Sequence, residues 1–312
     1  MENLRFSIIV PTYNEEHDIR GTLESLISLT YDNKEIIIVD DSNDNTPNIV
    51  REYVDKGVRL IIPKERKGRC EARNIGIRES SGDILVILNA DVLIATDFLE
   101  KIKVHYDEGT DIVCVNSSVK NIDDLFARYV ECVHRLETSD NKYVQSQLWT
   151  EGYSVKRDVA LKTNLFPSGF SVPIVAGEDA YFGQALADIG AKKIVDMSIR
   201  VEHIAPASFK EYWYIRKGRG AGTPQIRRFL DKWSYRQIAI RAYLKIIRRI
   251  LMMSILFPML HFNYKVAKFS PNNRLIDTVL FSYSWIVEQL AMSVGEIQSL
   301  RKIIKEENKT ND

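Results

Sequence analysis

Phe6-Ser-Ile-Ile-Val10-Pro-Thr-Tyr-Asn-Glu15 sets a mostly apolar run directly against a polar cluster, and the pattern returns twice downstream. Glu35-Ile-Ile-Ile-Val-Asp40 runs into Asp41-Ser42, and Asp83-Ile-Leu-Val-Ile-Leu-Asn89 runs into Ala90-Asp91. Near-continuous Ile, Val and Leu is the composition of strands buried on both faces, which predicts a mostly parallel sheet flanked by helices, an α/β fold. Further strands are expected over 58–62 and 111–119. Helical periodicity lies between the runs, over 16–29, 46–55, 69–79 and 97–106. Ligands on such sheets gather at the carboxyl ends of the strands, and the polar clusters sit there.

Beyond residue 120 the pattern is less regular. It predicts a helix over 125–136, a strand over 148–155, a helix over 178–189 and short strands over 193–195 and 199–202. From residue 209 the chain is basic and mostly helical.

The polar clusters have both plain and chemical readings. Thr12 or Asn14 can cap a helix, with Glu15 in its first turn. Asp40-Asp41-Ser42 can be a turn, yet two carboxylates at a strand end also suit a base or ribose. Asn89-Ala-Asp91 offers an amide oxygen and a carboxylate, the oxygen ligands that hard divalent cations prefer. Asp91 can equally be a cap.

The order of these elements carries more than any one of them. Pro-Thr-Tyr-Asn-Glu, Val-Asp-Asp-Ser, Gly68-x4-Arg73-Asn74-x-Gly76, Ser81-Gly82-Asp83 and Leu88-Asn-Ala-Asp91 together resemble glycosyltransferase family 2 over about residues 5–222. Gly177-Glu178-Asp179 and His203 continue the likeness. The resemblance implies a GT-A fold, a nucleotide diphosphate-sugar donor, inversion at the anomeric carbon, and a divalent cation, Mn2+ or Mg2+. It puts Pro11, Thr12, Tyr13, Glu15, Asp40, Asp41, Arg69, Arg73 and Asn89 beside the nucleotide-sugar. Asp91 and Asn89 stand where that family carries its D-x-D metal motif, with Asn in place of the first Asp. His203 is a third metal candidate. Asp179, with Glu178 beside it, matches the catalytic base, which takes the acceptor hydroxyl's proton; the plain alternative is an acidic first helical turn. Arg219 lies in Arg216-Lys-Gly-Arg-Gly-Ala-Gly222, a segment that can cradle phosphate or simply end a helix.

The chain of 312 residues is 45% apolar and 27% charged, the make-up of an ordinary globular protein. Cys70, Cys114 and Cys132 show no C-x-x-C spacing, which favours a reducing compartment over disulfides or zinc. The net charge of +1 conceals an asymmetry: residues 1–208 carry 24 Lys/Arg against 34 Asp/Glu, and residues 209–249 carry 12 against 2. The basic block predicts an anionic membrane surface as partner, or else neutralises the acidic part and the donor's diphosphate.

Ile240, Tyr243, Leu244, Ile247, Ile250 and Leu251 share one helical face, opposite Arg241, Lys245, Arg248 and Arg249. The uncharged run over 250–264 contains Pro258 and is shorter than the roughly 20 residues of a spanning helix, so it is expected to lie on a bilayer. Ile276, Leu280, Tyr283, Val287, Leu290, Val294 and Ile297 form a seam that can pair within the chain or with a second subunit, a homodimer. The last residues, from Glu306, are expected to fray.

The expected organisation is therefore a GT-A catalytic domain over 1–222 and a C-terminal helical appendage over 223–312, cytoplasmic and peripheral at the membrane face. The expected activity is a metal-dependent inverting transfer from a nucleotide-sugar, UDP favoured, to a hydroxyl of a glycan or lipid-linked acceptor. Two alternatives remain: a polyprenyl-phosphate sugar synthase, whose ionised acceptor needs no base, and a nucleotide-sugar-binding module that has lost catalysis. A dehydrogenase fits poorly, since no G-x-G-x-x-G follows the first strand. Nucleic acid is disfavoured because the basic block's apolar face suits lipid or protein.

Overall fold

The computed structural model describes residues 3–66 and 68–311. In chain order the elements are β1 (Phe6–Thr12), α1 (Ile19–Ile27), β2 (Lys34–Asp40), α2 (Thr46–Arg51), β3 (Val58–Ile61) and α3 (Arg69–Glu79). β4 (Ile84–Ile87), β5 (Val92–Ile94), α4 (Phe98–Asp107), β6 (Ile112–Val119), α5 (Leu125–Thr138), α6 (Asn141–Ser146), β7 (Tyr153–Lys156) and α7 (Arg157–Ala160) follow. The chain continues through α8 (Glu178–Asp188), β8 (Lys193–His203), α9 (Phe209–Phe229), α10 (Tyr235–Ser254), α11 (Leu256–Val266) and α12 (Arg274–Asn311).

All eight strands join one mixed sheet in the order β3-β2-β1-β4-β7-β6-β8-β5. The β3-β2-β1-β4 half is parallel, as the apolar runs predict. β7 then pairs antiparallel with β4 and β6, and β5 pairs antiparallel with β8. Successive residues of the parallel strands enter different cores. Ile8, Val10, Ile36 and Ile38 pack with Leu23 of α1, Ile49 of α2 and Ile102 of α4. Ile37 and Val39 point the other way, against Ala72 of α3. On that side Gly76 brings α3 so close to β1 that a Cβ would lie 2.3 Å from Ile9 Cγ2. Burial on both faces is thus the physical reason that these strands are apolar throughout.

The chain divides into two compact units, both discontinuous in sequence. The first comprises residues 1–118, 145–169 and 178–204 and holds most of the sheet. The second comprises 119–144, 170–177 and 205–312 and is helical. The expected partition at residue 222 falls inside α9, which runs unbroken from Phe209 to Phe229.

In the second unit α12 is the central element, and it meets α5, α9, α10 and α11. Phe126 and Tyr129 of α5, Tyr212 of α9, Met259 of α11 and Phe281 of α12 share its core. α12 extends to Asn311, through the polar residues from Glu306 onward. No helix among the described residues is long and apolar enough to cross a membrane.

Candidate active site

The flush ends of β1 and β2 bring Thr12 and Asp40 into register. Both are buried, and the Thr12 hydroxyl donates to Asp40 Oδ1 at 2.6 Å, where the Ser42 hydroxyl also donates at 2.7 Å. Thr12 and Asp40 therefore tie the two strand ends together. Asp41, the next residue, is only half-buried and accepts from the Gly68 amide at 3.3 Å. Burial raises the pKa of its carboxyl.

Beyond β1, Asn14 takes a left-handed conformation (φ 58°) and reaches Asn43 with its side chain. Pro11 is half-buried near the end of β1, and Tyr13 is exposed in the bend that follows. Glu15 follows, its amide donating to the Thr46 hydroxyl at 2.9 Å. Burial, then the neighbouring Asp91 and Asp18, push the Glu15 carboxyl up to about 8. Asp91 is itself pushed up to about 6, first by burial and next by Asp18 among the charged neighbours that raise it.

His203 lies on the strand next to this segment. It stands opposite Val92 in the β5–β8 ladder, the Ile204 amide donates to the Asp91 carbonyl at 3.2 Å, and a His203 ring nitrogen meets the Ser117 hydroxyl at 3.0 Å. Among the described residues no three His, Cys, Asp or Glu side chains converge on a point that could hold a metal ion. A partial shell is what a cation shared with substrate phosphates requires, and a half-buried carboxylate whose negative charge is poorly solvated fits that role. Asp91 is such a group.

Asn89 is committed elsewhere. Its Oδ1 accepts from Arg73 Nη2 at 3.0 Å, and its Nδ2 donates to Glu151 Oε2 at 2.9 Å. Arg73 is 2% exposed, its other terminal nitrogen donates to Glu178 Oε1 at 2.8 Å, and its guanidinium lies over the Trp149 and Phe166 rings at 5.4 and 5.0 Å. Arg69, on the same helix and half exposed, stands 3.6 Å from the same Glu178 oxygen. Glu178 is 1% exposed and its Oε2 has no hydrogen-bond partner. Asp179, half-buried in the first turn of α8, accepts from the Ala180 amide at 2.7 Å. Burial and the charge of Glu178 raise its pKa.

Most of the residues singled out in sequence thus belong to the first unit, whose fold joins Arg73, Asn89 and Glu178 in one network. Arg219 belongs to the second unit, exposed on α9. The glycine-rich stretch around it is helix interior rather than a loop. Trp149, Glu151 and Phe166 went unnoticed in sequence. Glu151 lies in a stretch expected as strand, while β7 begins only at Tyr153, and nothing local marks it as a partner of Asn89.

Among known proteins, the family model described as "Glycosyl transferase family 2" matches residues 7–166, just over half of the chain. A similar curated protein is the Escherichia coli UDP-Glc:alpha-D-GlcNAc-diphosphoundecaprenol beta-1,3-glucosyltransferase WfgD, 29% identical over 184 residues, which are 58% of this chain and 69% of that one. The chain spans 34% and 39% of the length of two other curated relatives. Of solved structures, the mannosyltransferase PcManGT from Pyrobaculum calidifontis, in complex with GDP-Man and Mn2+, superposes with a TM-score of 0.63 at 21% identity, covering 96% of this chain and 88% of that one. TarS 1-349 of S. aureus, in complex with UDP-GlcNAc, gives 0.55 at 18% identity, covering 90% and 91%. These neighbours share the GT-A fold that the motifs imply. By its family match and the fold that bears it, the chain belongs to glycosyl transferase family 2.

Proposed function

We propose that this family 2 glycosyltransferase is a metal-dependent, inverting enzyme that moves a sugar from a nucleotide diphosphate-sugar, UDP favoured, to a hydroxyl of a glycan or lipid-linked acceptor. The observation that carries the reading is the division within the Glu178-Asp179 pair. Glu178 is buried and held by Arg73 at 2.8 Å. Asp179 is half-buried and binds its proton more tightly than an ordinary aspartate. A carboxylate whose pKa is shifted towards the working pH is the better proton acceptor.

In the transfer the acceptor hydroxyl gives its proton to the Asp179 carboxylate. Its oxygen forms the new bond to the anomeric carbon, and the carbon–oxygen bond to the diphosphate breaks with its electron pair leaving on the diphosphate. Approach opposite the leaving group inverts the centre. Asp91, with His203 as a second candidate ligand, would hold a Mn2+ or Mg2+ ion, whose charge would offset that of the departing diphosphate. Asp41, Glu15 and Arg69 are the candidates for contact with the nucleotide. The donor named for the E. coli relative is UDP-Glc and its acceptor is lipid-diphosphate-linked, which supports that choice of substrates; the mannosyltransferase complex with GDP-Man and Mn2+ supports the cation.

The test is a panel of UDP-, GDP- and dTDP-sugars, with Mn2+ or with a chelator, given to the wild type and Asp179→Asn. Mn2+-dependent binding of one donor is expected, unchanged in Asp179→Asn, with transfer reduced by roughly 10²–10⁴-fold. Near-normal transfer by the variant would remove Asp179 as the base and favour an already ionised phosphate acceptor. Failure to bind any donor would point to the degenerate binding module.

A further inference from the structure

The amphipathic helix α10 presents itself the wrong way round for a water-soluble protein. Its apolar side chains Ile240, Tyr243, Leu244, Ile250 and Leu251 are each half or more exposed, Leu244 at 59%. Lys245 and Arg249, from its basic side, turn inward and reach Glu296 of α12 at 2.8 and 3.3 Å. A helix that packs on a core in water buries its apolar stripe instead.

The same inversion continues along the chain. From Ile250 to Phe257 there is no charged residue, and every side chain but Met253 is exposed, Phe257 at 77%. The break between α10 and α11 falls at Ile255, because Pro258 three residues on cannot share a continuous helix with the Ser254 carbonyl. The junction is therefore an apolar corner. On α12, Ile276, Tyr283, Leu290 and Ile297 recur at seven-residue steps and are exposed, as is Val279 between them. A shallow apolar groove of about 380 Å³, lined by Phe257, Leu260, Tyr264, Leu275 and Val279, joins α11 to the start of α12.

Charge decides what covers this face. Between residues 232 and 305 the only acidic side chains are Asp277, Glu288 and Glu296. Each is engaged inside the second unit: Asp277 with Arg128 at 3.0 Å, Glu288 with Arg216 at 3.0 Å, and Glu296 as above. Every exposed charge in the stretch is consequently a Lys or Arg, among them Arg236, Arg241, Arg248, Lys265, Lys268 and Lys302. An exposed apolar surface whose exposed charges all carry one positive sign complements hydrocarbon under anionic headgroups. A second copy would set like positive charges against one another across the rim, which is unfavourable.

We propose that the outward faces of α10, α11 and α12 form one surface that seats the second unit on an anionic phospholipid bilayer, with the α10–α11 corner at the greatest depth. Such seating serves the lipid-linked acceptor proposed above and rests on that reading, and donor binding by the same samples tells failure of the one from failure of the other.

The experiment uses the full chain with vesicles of phosphatidylcholine plus phosphatidylglycerol, and with phosphatidylcholine alone. The wild type is expected to sediment with the anionic vesicles. Arg241→Glu and Arg248→Glu should each weaken binding by about fivefold or more, and Leu256→Glu with Phe257→Glu should abolish it, while donor binding stays intact in all. As a second measurement that leaves the charge untouched, Phe257→Cys carries an environment-sensitive fluorophore, which is feasible because Cys70, Cys114 and Cys132 are buried. Its emission should shift to the blue on anionic vesicles and be quenched by brominated acyl chains, whereas the same label at exposed Val104 of α4 should remain in water. Intact donor binding with no sedimentation and no blue shift would overturn the proposal. So would a wild type that is a dimer in solution, is made monomeric by Leu290→Glu, and ignores vesicles; the face would then join two copies.

Discussion

Asn89 stands between a guanidinium and a carboxylate, and an amide is the group of its size that satisfies both: its oxygen accepts from Arg73 and its nitrogen donates to Glu151. The departure from D-x-D thus has a local cause in the fold. Asn89→Asp would set two carboxylates about a hydrogen bond apart and remove a donor, at a cost of roughly 1–3 kcal/mol. Thermal unfolding should show a lowered midpoint that Glu151→Gln restores; an unchanged midpoint would mean that the network contributes little. The pH dependence that the proposed mechanism expects rests on Asp179. Its folded pKa is raised by burial and by Glu178, so a base at this position would be lost as pH falls through a value above the ordinary aspartate range. The kcat/KM profile should fall tenfold per unit below that point and level off above it, and in Asp179→Asn that limb should vanish. The same shift lowers stability as pH rises from the ordinary value through the raised one, because the folded state binds the proton more tightly. At this scale the motif residues were legible, since their types announce their chemistry. Glu151, Trp149 and Phe166 were not, because each matters only through a partner remote in the chain.

Helices announce themselves by period, and α3, α5 and α8 begin at the residues expected for them, while α10 starts after Ser234, whose side chain accepts from the Gln237 amide. The glycine-rich stretch around Arg219 shows the limit of such reading. It is the interior of α9, and its glycines admit neighbouring backbone: a Cβ on Gly220 would lie 2.1 Å from the Met292 carbonyl oxygen, and one on Gly295 of α12 would lie 2.0 Å from that of Lys217. Two helices therefore cross at a reciprocal pair of glycines. Gly295→Ala should destabilise by about 1–3 kcal/mol, the usual cost of overpacking. Gly218→Ala, with open space around its Cβ, should instead stabilise by up to about 1 kcal/mol through helix propensity. Urea denaturation of the two variants checks this, and equal effects would dismiss the close crossing. Period also showed that α10 has an apolar and a basic side, though not which one faces the protein.

Across the whole molecule the parallel half of the sheet was readable because burial on both faces leaves a continuous apolar run. The antiparallel half was readable in part: β6 lies where a strand was expected over 111–119, and β7 overlaps only the end of the one expected over 148–155. β5, three residues long, is too short for a pattern, and the two short strands expected near 193–202 are one strand, Lys193–His203. The sequence by itself determined the apolar parallel strands, the periodic helices, the polar residues gathered at the strand ends and the uneven distribution of charge, all of which are local properties of residue type and spacing. Tertiary structure alone decided that Arg73 clasps Glu178 from 105 positions away, that β5–β8 pairing sets His203 opposite Val92, and that the apolar side of α10 looks outward. Those outcomes depend on which surfaces meet, and periodicity records only that a surface exists.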